Sequence, residues 1–290
     1  MTVTIAIPFA GDDISSFQKA VRSVFAQTYG DWKLLLINDG ASPVLTAAAA
    51  AVADPRVTHM TDGVNRGLVA RLNQIAGLAD TEYLARMDAD DMMTPERIKH
   101  QLSIISSGAI DVLSGHLVTM DENEEVLGEL IEGPVPTDPR GFLVNNALSH
   151  ATVLGRTSWF RDNPYRPISR AEDKELWLRT NVNSVFVKDP RPVYFYRTGT
   201  RFNRVKLLAN VRGDRAATWP YAKQMLGPGE IVTFIARSYA KQALWSSPLG
   251  PAYWPRHLRR QRLVPEPGQL KEWRAIIHQI KTTHVPGWSM

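Results

Sequence analysis

The sequence predicts an α/β protein with a mostly parallel β-sheet flanked by helices and with a helical C-terminal extension. Short runs of apolar, often β-branched residues alternate with helical patterns over the first hundred residues, which is typical of βαβ units. After residue 200 the strand-like runs give way to helical patterns separated by prolines and glycines. At 290 residues and 44% apolar composition, the chain is long enough to bury a sizeable core.

Four strands are predicted in the first hundred residues, with helices between them. The first strand covers residues 3–8, and apolar side chains then recur at helical spacing from Ile14 to Phe25. The next predicted elements are a strand at 32–38, an alanine-rich helix after Pro43, a strand at 57–61, a helix at 67–79 and a strand at 83–87. Thr94 followed by Pro95 predicts another helix start, because proline is favoured in the first turn.

The pattern becomes mixed after residue 111. Strands are predicted at 112–119 and 152–154, and helices at 172–180, 205–226, 229–245 and 269–281, with connections near Pro248, Pro251, Pro255, Pro265 and Pro267. We therefore expect a domain of residues 1–200 followed by a basic helical extension of residues 201–290.

The net charge of +5 is unevenly distributed along the chain. Residues 201–290 contain 15 Lys and Arg against 4 Asp and Glu, whereas residues 1–200 contain 19 against 25. The basic extension suits a partner that carries phosphates, and a solvated helical surface is the alternative. The sequence has no cysteine, which excludes disulfides and thiolate metal sites.

The N-terminal residues and the alanine run bear on the cellular location. Residues 1–8 lack the basic start and long apolar stretch of a signal peptide. Residues 47–52 form too short an apolar run to cross a bilayer. We therefore expect a cytoplasmic protein, either soluble or peripheral on the inner face of the membrane.

Polar loops follow three of the predicted strands. The first strand ends at Pro8 and leads into Gly11-Asp12-Asp13, the second ends at Asn38-Asp39-Gly40 and the fourth at Asp88-Ala89-Asp90-Asp91. Ligands of open α/β sheets bind outside the carboxyl ends of the strands. Three such loops on one edge of the sheet therefore predict a binding site.

The residue types in these loops indicate a substrate that carries phosphates. Carboxylates without His or Cys favour Mg²⁺ or Mn²⁺, which proteins usually hold together with phosphate oxygens. Asp39 could accept hydrogen bonds from a nucleotide base or ribose, and Arg66 and Arg71 could pair with a diphosphate. The alternatives are a solvated turn or helix cap for residues 88–91, an ordinary turn for Asn-Asp-Gly and a surface helix position for each arginine.

Several motifs occur together in an order that one known family shares. They are Ile5-Ala6-Ile7-Pro8, Ser23-Val24-Phe25-Ala26-Gln27-Thr28-Tyr29, Leu36-Ile37-Asn38-Asp39-Gly40, Asn65-Arg66-Gly67-Leu68 with Leu72-Asn73, Met87-Asp88-Ala89-Asp90-Asp91 with Pro95-Glu96-Arg97, His150-Ala151-Thr152, and Glu172-Asp173 with Leu176-Trp177-Leu178-Arg179. Over residues 3–200 the chain therefore resembles the family 2 glycosyltransferases. The resemblance implies their GT-A fold, a Rossmann-like, mostly parallel sheet flanked by helices.

The resemblance also implies an inverting glycosyltransferase that uses Mn²⁺ or Mg²⁺ and a nucleotide-diphosphate sugar, with a UDP-sugar favoured. Residues 1–110 would bind this donor and residues 111–200 the acceptor. Asp173 would be the general base, with Glu172 and His150 on the acceptor side. The donor contacts implied are Pro8, Asp39 at the nucleobase, Arg66, Arg71, Asp88 near the ribose and diphosphate, Ala89, and Asp90, which in this DXD motif would hold the metal.

Alternatives remain for the acceptor-side residues, and the sequence departs from the family in places. Glu172 and Asp173 could simply stabilise the first turn of a helix, and His150 could be a packed histidine. Ala41 stands where serine is more usual after the Asp-Gly turn. The Gln and Trp motif of processive synthases is missing from the sequence, so we expect transfer of one sugar to a hydroxyl of a bacterial-type surface glycan, such as capsule or lipopolysaccharide, free or lipid-linked.

Two other function classes compete with this interpretation. A sugar-phosphate nucleotidyltransferase would need a glycine-rich phosphate loop after the first strand, where residues 8–14 contain Gly11 alone. A nucleic-acid-binding module could use the basic extension, but the sequence has no recognised motif for it, so no nucleic-acid partner is expected. The glycine fingerprints of dinucleotide-binding and P-loop proteins are also missing.

Residues 245–263 predict a peripheral membrane contact that brings the acceptor side near a lipid-diphosphate carrier. Arginines attract anionic lipid, and aromatic side chains favour the headgroup interface. The alternative is that the aromatic residues pack the helices onto the catalytic domain or form a homodimer contact, while the arginines stay solvated. The residues concerned are Trp245, Leu249, Tyr253, Trp254, Arg256, Arg259, Arg260 and Arg262.

Overall fold

The computed structural model of the protein describes residues 1–288, which form one curled β-sheet flanked by helices. The strands are β1 (Val3–Phe9), β2 (Trp32–Asn38), β3 (Val57–Met60), β4 (Tyr83–Arg86), β5 (Met92–Met93), β6 (Val112–Met120), β7 (Val126–Leu130), β8 (Leu154–Arg156), β9 (Phe186–Arg197) and β10 (Arg262–Leu263). The α-helices are α1 (Ile14–Phe25), α2 (Pro43–Ala50), α3 (Leu68–Leu78), α4 (Arg97–Ile105), α5 (Gly141–Val144), α6 (Thr157–Asp162), α7 (Glu172–Thr180), α8 (Arg204–Met225), α9 (Pro228–Ser246), α10 (Leu249–Arg260) and α11 (Pro267–Thr282).

The first four strands pair in parallel in the order β4-β1-β2-β3. Every residue of β1 is buried, as expected for a parallel strand covered on both faces. Helices α1, α2 and α4 pack on one face of the sheet, and α3, α6 and α7 pack on the other. This arrangement confirms the predicted α/β class, and it brings the loops after β1, β2 and β4 to the same edge.

The second half of the chain extends the sheet with strands of mixed direction. Strand β8 lies antiparallel between β4 and β6, and β9 runs parallel to β6 and also pairs with β5. Strand β9 was not predicted, because Asp189, Pro190 and Pro192 interrupt its apolar pattern. Its C-terminal end, Arg197, comes beside the loop that follows β4, and the candidate site depends on this approach.

Three predicted elements differ from the structure. Helix α4 begins at Arg97 instead of Pro95, because the N–H of Thr94 donates to the carbonyl of Val193 and keeps this segment extended. Thr152 ends a turn of 3₁₀ helix, and strand β8 starts only at Leu154. Helix α10 runs through two prolines that were predicted to lie in a connection. Pro251 is tolerated there because the N–H groups of a first helical turn have no intrahelical partner.

The end of the chain packs back onto the sheet and α1. Trp273, Ile277 and Ile280 of α11 form a buried cluster with residues of β6 and β9. Trp288 packs against Phe17 and donates its Nε1–H to the carbonyl of Ala48 at 2.8 Å. The boundary near residue 200 stays a prediction, but α11 and the residues after it share a core with the sheet. Within residues 1–288, every helix is too short or too polar to cross a bilayer.

Candidate functional site

Asp39 joins the loop after β2 to the start of α3. Its carboxylate accepts hydrogen bonds from the backbone N–H of Arg66 at 2.7 Å and of Gly67 at 3.1 Å. The Nε–H of Arg71 donates to it at 3.0 Å. Three donors from the chain therefore fix this carboxylate at the carboxyl edge of the sheet.

The Asn-Asp-Gly segment also forms the turn expected of such a sequence. The N–H of Ala41 donates to Oδ1 of Asn38 at 2.7 Å, and Gly40 has φ 76°. A Cβ added to Gly40 would lie 2.9 Å from the Cβ of Asn65. Glycine at position 40 therefore permits the close approach of the 65–67 loop. The Asn-Asp-Gly turn forms together with the hydrogen bonds that Asp39 accepts from that loop.

The two arginines near Asp39 differ in exposure. Arg71 is 1% exposed, and besides Asp39 it donates to Asp62 at 2.6 Å and to the carbonyl of Val64. Arg66 is largely exposed and pairs with Asp62 at 2.7 Å. Hydrogen bonds from Arg71 and Arg66 hold the pKa of Asp62 far below its usual range. This geometry favours a positioning role for Arg71, and contact of either arginine with a diphosphate stays a prediction.

The loop after β4 presents three aspartates in three environments. Asp88 is 25% exposed in its side chain and forms a salt bridge with Arg86. Asp90 is exposed. Asp91 is buried, and its Oδ1 accepts a hydrogen bond from the backbone N–H of Arg197 at 2.6 Å. Asp90 is therefore the most exposed residue of the three.

Negative charge accumulates at this loop. Burial and the charges of Asp88 and Asp90 raise the pKa of Asp91, and burial and the charge of Asp88 raise the pKa of Asp90. The Oδ2 atom of Asp91 is buried and has no hydrogen-bond partner. A hard divalent cation would offset the repulsion and satisfy carboxylate oxygens, so these residues fit Mn²⁺ or Mg²⁺.

Glu172 and Asp173 occupy the first turn of α7, as the sequence predicted. Ala171 precedes them with φ 61°, a conformation that a non-glycine residue keeps only where its surroundings enforce it. Burial raises the pKa of Asp173, and the N–H of Lys174 opposes that rise. The start of α7 therefore holds the two carboxylates in a defined position.

His150 completes this second acidic group. Its Nε2 lies 2.7 Å from the hydroxyl of Tyr165, and burial together with the charge of Arg86 lowers its pKa well below the usual value. Ligand atoms of His150, Glu172 and Asp173 lie within 4.8 Å of one another. Within residues 1–288, these are the only three His, Asp or Glu side chains that lie close enough together to hold one metal ion.

Arg86 connects the two acidic groups. Its guanidinium pairs with Asp88, and its side chain lines, with Tyr165, a small cavity that is otherwise apolar. Burial raises the pKa of Asp173, and the positive charge of Arg86 opposes that rise. The Nε atom of Arg86 is buried without a partner. One guanidinium thus acts on a carboxylate of each group.

The predicted site residues fall into three groups in the structure. Pro8 is buried at the end of β1, the strand between β2 and β4, and Ala89 is partly buried against the core. The first group is Asp39, Arg66 and Arg71, the second is Asp88, Ala89 and Asp90, and the third is His150, Glu172 and Asp173. The individual roles assigned to these residues stay predictions.

Sequence reasoning missed four residues that shape the site. Tyr194 accepts a hydrogen bond from the backbone N–H of Asp88 at 3.0 Å, and Arg197 holds Asp91. Both lie on β9, whose place beside the acidic loop has no local sequence signal. Tyr165 likewise comes from a loop. Arg86 did leave a signal, since an arginine in an otherwise apolar strand is almost never fully buried unless it is paired.

Comparison with known proteins identifies the family. The sequence model of Glycosyl transferase family 2 matches residues 4–162, more than half of the chain, and this protein belongs to that family. The putative glycosyltransferase EpsE of Bacillus subtilis is 28% identical over 207 residues, covering 69% of each chain. The Escherichia coli UDP-Glc:alpha-D-GlcNAc-diphosphoundecaprenol beta-1,3-glucosyltransferase WfgD is 26% identical over 161 residues, covering 55% of this chain and 62% of WfgD. The protein is a glycosyltransferase.

A solved structure of similar fold agrees with the family. The mannosyltransferase PcManGT of Pyrobaculum calidifontis, in complex with GDP-Man and Mn²⁺, superposes with a TM-score of 0.60 at 11% identity. The match covers 96% of this chain and 84% of PcManGT. It confirms the predicted GT-A fold.

We expect Arg86→Met to raise the pKa of Asp173, because the variant removes the opposing positive charge. A nearby opposite charge favours the ionised form of a carboxyl group, so losing that charge raises the pKa. The pKa is measured by ¹³C NMR titration of protein labelled at aspartate carboxyl carbons, with the Asp173→Asn spectrum giving the assignment. Arg156→Met, which removes a partly exposed arginine paired with Glu82, is the control. A titration unchanged in Arg86→Met would contradict the connecting role of Arg86.

Proposed function

We propose that this protein transfers a single sugar from a nucleotide-diphosphate sugar to an acceptor hydroxyl with inversion at the anomeric carbon. One arrangement carries the proposal: Asp88 and Asp90 lie in the loop after β4, Asp173 lies in the first turn of α7, and the charge of Arg86 acts on both Asp88 and Asp173. Membership of family 2 supports glycosyl transfer. The nucleotide sugars named for WfgD and PcManGT support a nucleotide donor, and WfgD favours a UDP-sugar.

The donor side uses the loops after β2 and β4. Asp39 keeps the 65–67 loop in place and offers its remaining acceptor capacity to the nucleobase. Arg66, which is exposed, reaches the diphosphate, while Arg71 keeps Asp39 oriented. Asp88, with Pro8 and Ala89 beside it, takes the ribose and diphosphate region. The donor is thus bound by a surface that the chain organises before the ligand arrives.

Asp90 is the proposed ligand for Mn²⁺ or Mg²⁺, with Asp91 in support. A bound cation neutralises the charge that develops on the departing diphosphate. The Mn²⁺ in PcManGT supports this cofactor. The group of His150, Glu172 and Asp173 is a second place where a cation could bind, so the assignment to Asp90 needs a direct test.

Asp173 is the proposed general base. Its place in the first turn of α7 and the nearby charge of Arg86 favour the carboxylate form, while burial makes that carboxylate a stronger base. It accepts the proton of the acceptor hydroxyl as the oxygen attacks the anomeric carbon. Attack from the face opposite the diphosphate inverts that centre. Glu172 and His150 flank the acceptor.

The proposed acceptor is a bacterial-type surface glycan, free or lipid-linked. WfgD is named for an acceptor that is a sugar on diphosphoundecaprenol, which supports this class. A nucleotidyltransferase is disfavoured because it would need a glycine-rich phosphate loop after β1. Gly11 is the one glycine of that turn, and Asp13 in the same turn caps α1 by accepting a hydrogen bond from the N–H of Ser16 at 3.0 Å. The family match does not favour a nucleic-acid-binding module either.

We expect a nucleotide diphosphate to stabilise the wild type against unfolding in the presence of Mn²⁺. Asp90→Ala should lose the stabilisation that depends on Mn²⁺, and it should also lose turnover. Stabilisation by a ligand at 100 times its Kd is about 2.7 kcal/mol. Asp88→Ala and Asp39→Ala should weaken nucleotide affinity. The measurement is a thermal-shift panel of UDP, GDP, CDP and dTDP with and without Mn²⁺, alongside donor turnover.

Asp80→Ala is the control for this panel, because Asp80 is an exposed residue that pairs with Lys33. It should behave as the wild type does. A normal Mn²⁺ response in Asp90→Ala together with its loss in Asp173→Asn would move the cation to the group of His150, Glu172 and Asp173.

We expect Asp173→Asn to keep the nucleotide response and to lose turnover by about 10²- to 10⁴-fold, since a general base acts on the acceptor. Burial raises the pKa of Asp173, and only the ionised form accepts a proton. Wild-type turnover should therefore fall as the pH drops through that raised pKa. Steady-state kinetics across pH, with the exposed Asp162→Asn variant as control, measures both effects.

NMR of the product gives an independent check of the stereochemistry. An inverted anomeric centre is expected. Retained configuration would contradict the direct displacement, and unchanged turnover in Asp173→Asn would reduce this residue to helix capping.

We also propose that the extension makes a peripheral contact with anionic lipid on the inner face of the membrane. Fewer residues are available for this contact than the sequence indicated. Trp245 is 2% exposed, and Trp254 donates its Nε1–H to the carbonyl of Thr200 at 2.9 Å, so the aromatic residues pack α9 and α10. The surface left for lipid consists of exposed arginines and apolar residues. They are Arg256, Arg259, Arg260, Leu249, Leu263 and Val264.

We expect anionic vesicles to sediment the wild type at low salt, and an Arg256/Arg259/Arg260→Glu variant to remain in solution. Each basic residue near anionic lipid contributes about 1 kcal/mol. The control, Lys223/Arg237/Lys241→Glu, makes the same charge change at exposed positions of α8 and α9 and should still sediment. Equal sedimentation of all three proteins, or none with anionic lipid, would contradict the membrane contact, and light scattering would then test the homodimer.

A further inference from the structure

Glu124, in the turn between β6 and β7, is a buried carboxylate that meets cations from three elements. Its side chain is 6% exposed, and its Oε1 pairs with Lys19 of α1 and, at 3.2 Å, with Arg197 of β9. Its Oε2 pairs with Lys281 of α11 at 2.7 Å. Burial alone would raise the pKa of Glu124, but Lys19, Lys281 and Arg197 lower it to about 2. The backbone also has φ 68° at Glu124, a conformation that its fixed side chain helps to hold.

Arg197 continues the connection from Glu124 to the acidic loop. Its guanidinium donates at one end to Glu124 and, at 3.1 Å, to the carbonyl of Glu122. Its Nε–H donates to the carbonyl of Asp90 at 3.0 Å, and its backbone N–H donates to Asp91 at 2.6 Å. A planar guanidinium held at both ends transmits position well, because few of its rotamers keep all these bonds.

We propose that Glu124 and Arg197 are positioning residues for the donor site, and that Lys281 makes the geometry of this site depend on the docking of α11. The proposal rests on the proposed function in that the loop of residues 88–91 binds a nucleotide diphosphate with a cation. Neighbouring carboxylates repel one another, so the loop keeps a binding geometry only if its backbone is held from outside. Arg197 supplies that hold, and Glu124 fixes Arg197.

Helix α11 and the turn between β6 and β7 also offer a matched control. Arg274 of α11 pairs at 2.8 Å with Glu125, the residue after Glu124. Both side chains are more than half exposed, and neither pairs with Arg197 in the described chain. This pair joins α11 to the β6–β7 turn as Lys281 does, but it has no contact with the acidic loop. A purely structural effect of loosening α11 should therefore appear in both pairs.

The test compares Glu124→Gln and Lys281→Met with the controls Glu125→Gln and Arg274→Met. Three quantities are measured on the full chain: the urea midpoint, hydrogen exchange of the peptide that contains residues 88–93, and calorimetric affinity for UDP and GDP with Mn²⁺. We expect the two test variants to bind the nucleotide about tenfold more weakly, the usual effect of removing an outer support of a metal site. Exchange in residues 88–93 should be faster in the test variants, and the controls should match the wild type.

Each outcome decides for or against the positioning role. If Glu124→Gln does not fold, Lys281→Met decides, because it keeps Glu124 paired with Lys19 and Arg197. If the wild type binds no nucleotide diphosphate with Mn²⁺, the proposed function fails. Hydrogen exchange of residues 88–93 alone then tests whether Glu124, Arg197 and Lys281 hold the acidic loop. Loop exchange and affinity equal to those of the controls would overturn the proposal, even if the urea midpoint falls.

Discussion

Carboxylates from several loops lie at one edge of a parallel sheet, where burial and mutual repulsion oppose folding. The protein offsets this repulsion with arginines that reach the loops from different elements. Arg71 of α3 holds Asp39, Arg86 of β4 holds Asp88, and Arg197 of β9 holds Asp91 through its backbone. An excess of negative charge still remains around Asp91, one of whose buried oxygens has no partner. This arrangement fits the cation and phosphates of the proposed function.

The acidic loop after β4 and the start of α7 are electrostatically linked. Arg86 pairs with Asp88 and also acts on Asp173, so a change at Asp88 alters the charge environment of the proposed base. The unusual backbone of Ala171 fixes the direction in which α7 starts, and the contact between His150 and Tyr165 fixes the neighbouring wall. The two acidic groups therefore keep a defined relation although their residues are far apart in the chain.

The C-terminal extension combines two physical roles. Helix α11 contributes buried apolar residues to the core beside β6 and β9, and Lys281 pairs with the buried Glu124. Helices α8 to α10 instead keep most of their basic side chains exposed. The aromatic residues that suggested a membrane belt are used to pack these helices together, because Trp245 and Trp254 lie against Phe202. The extension is thus partly scaffold and partly free basic surface.

The sequence by itself determined the first four strands, the helices between them and the acidic loops that follow the strands. These features depend on local periodicity and turn chemistry, which a single segment contains. It also gave the start of α7 and hence the position of Glu172 and Asp173 on that helix. Only the tertiary structure decided that Arg86, Tyr194 and Arg197 support the acidic loop. Strand β9 reaches that loop through pairing with β5 and β6, and such long-range pairing leaves no pattern in the local sequence, so the partners of each buried charge emerge only when the sheet is assembled.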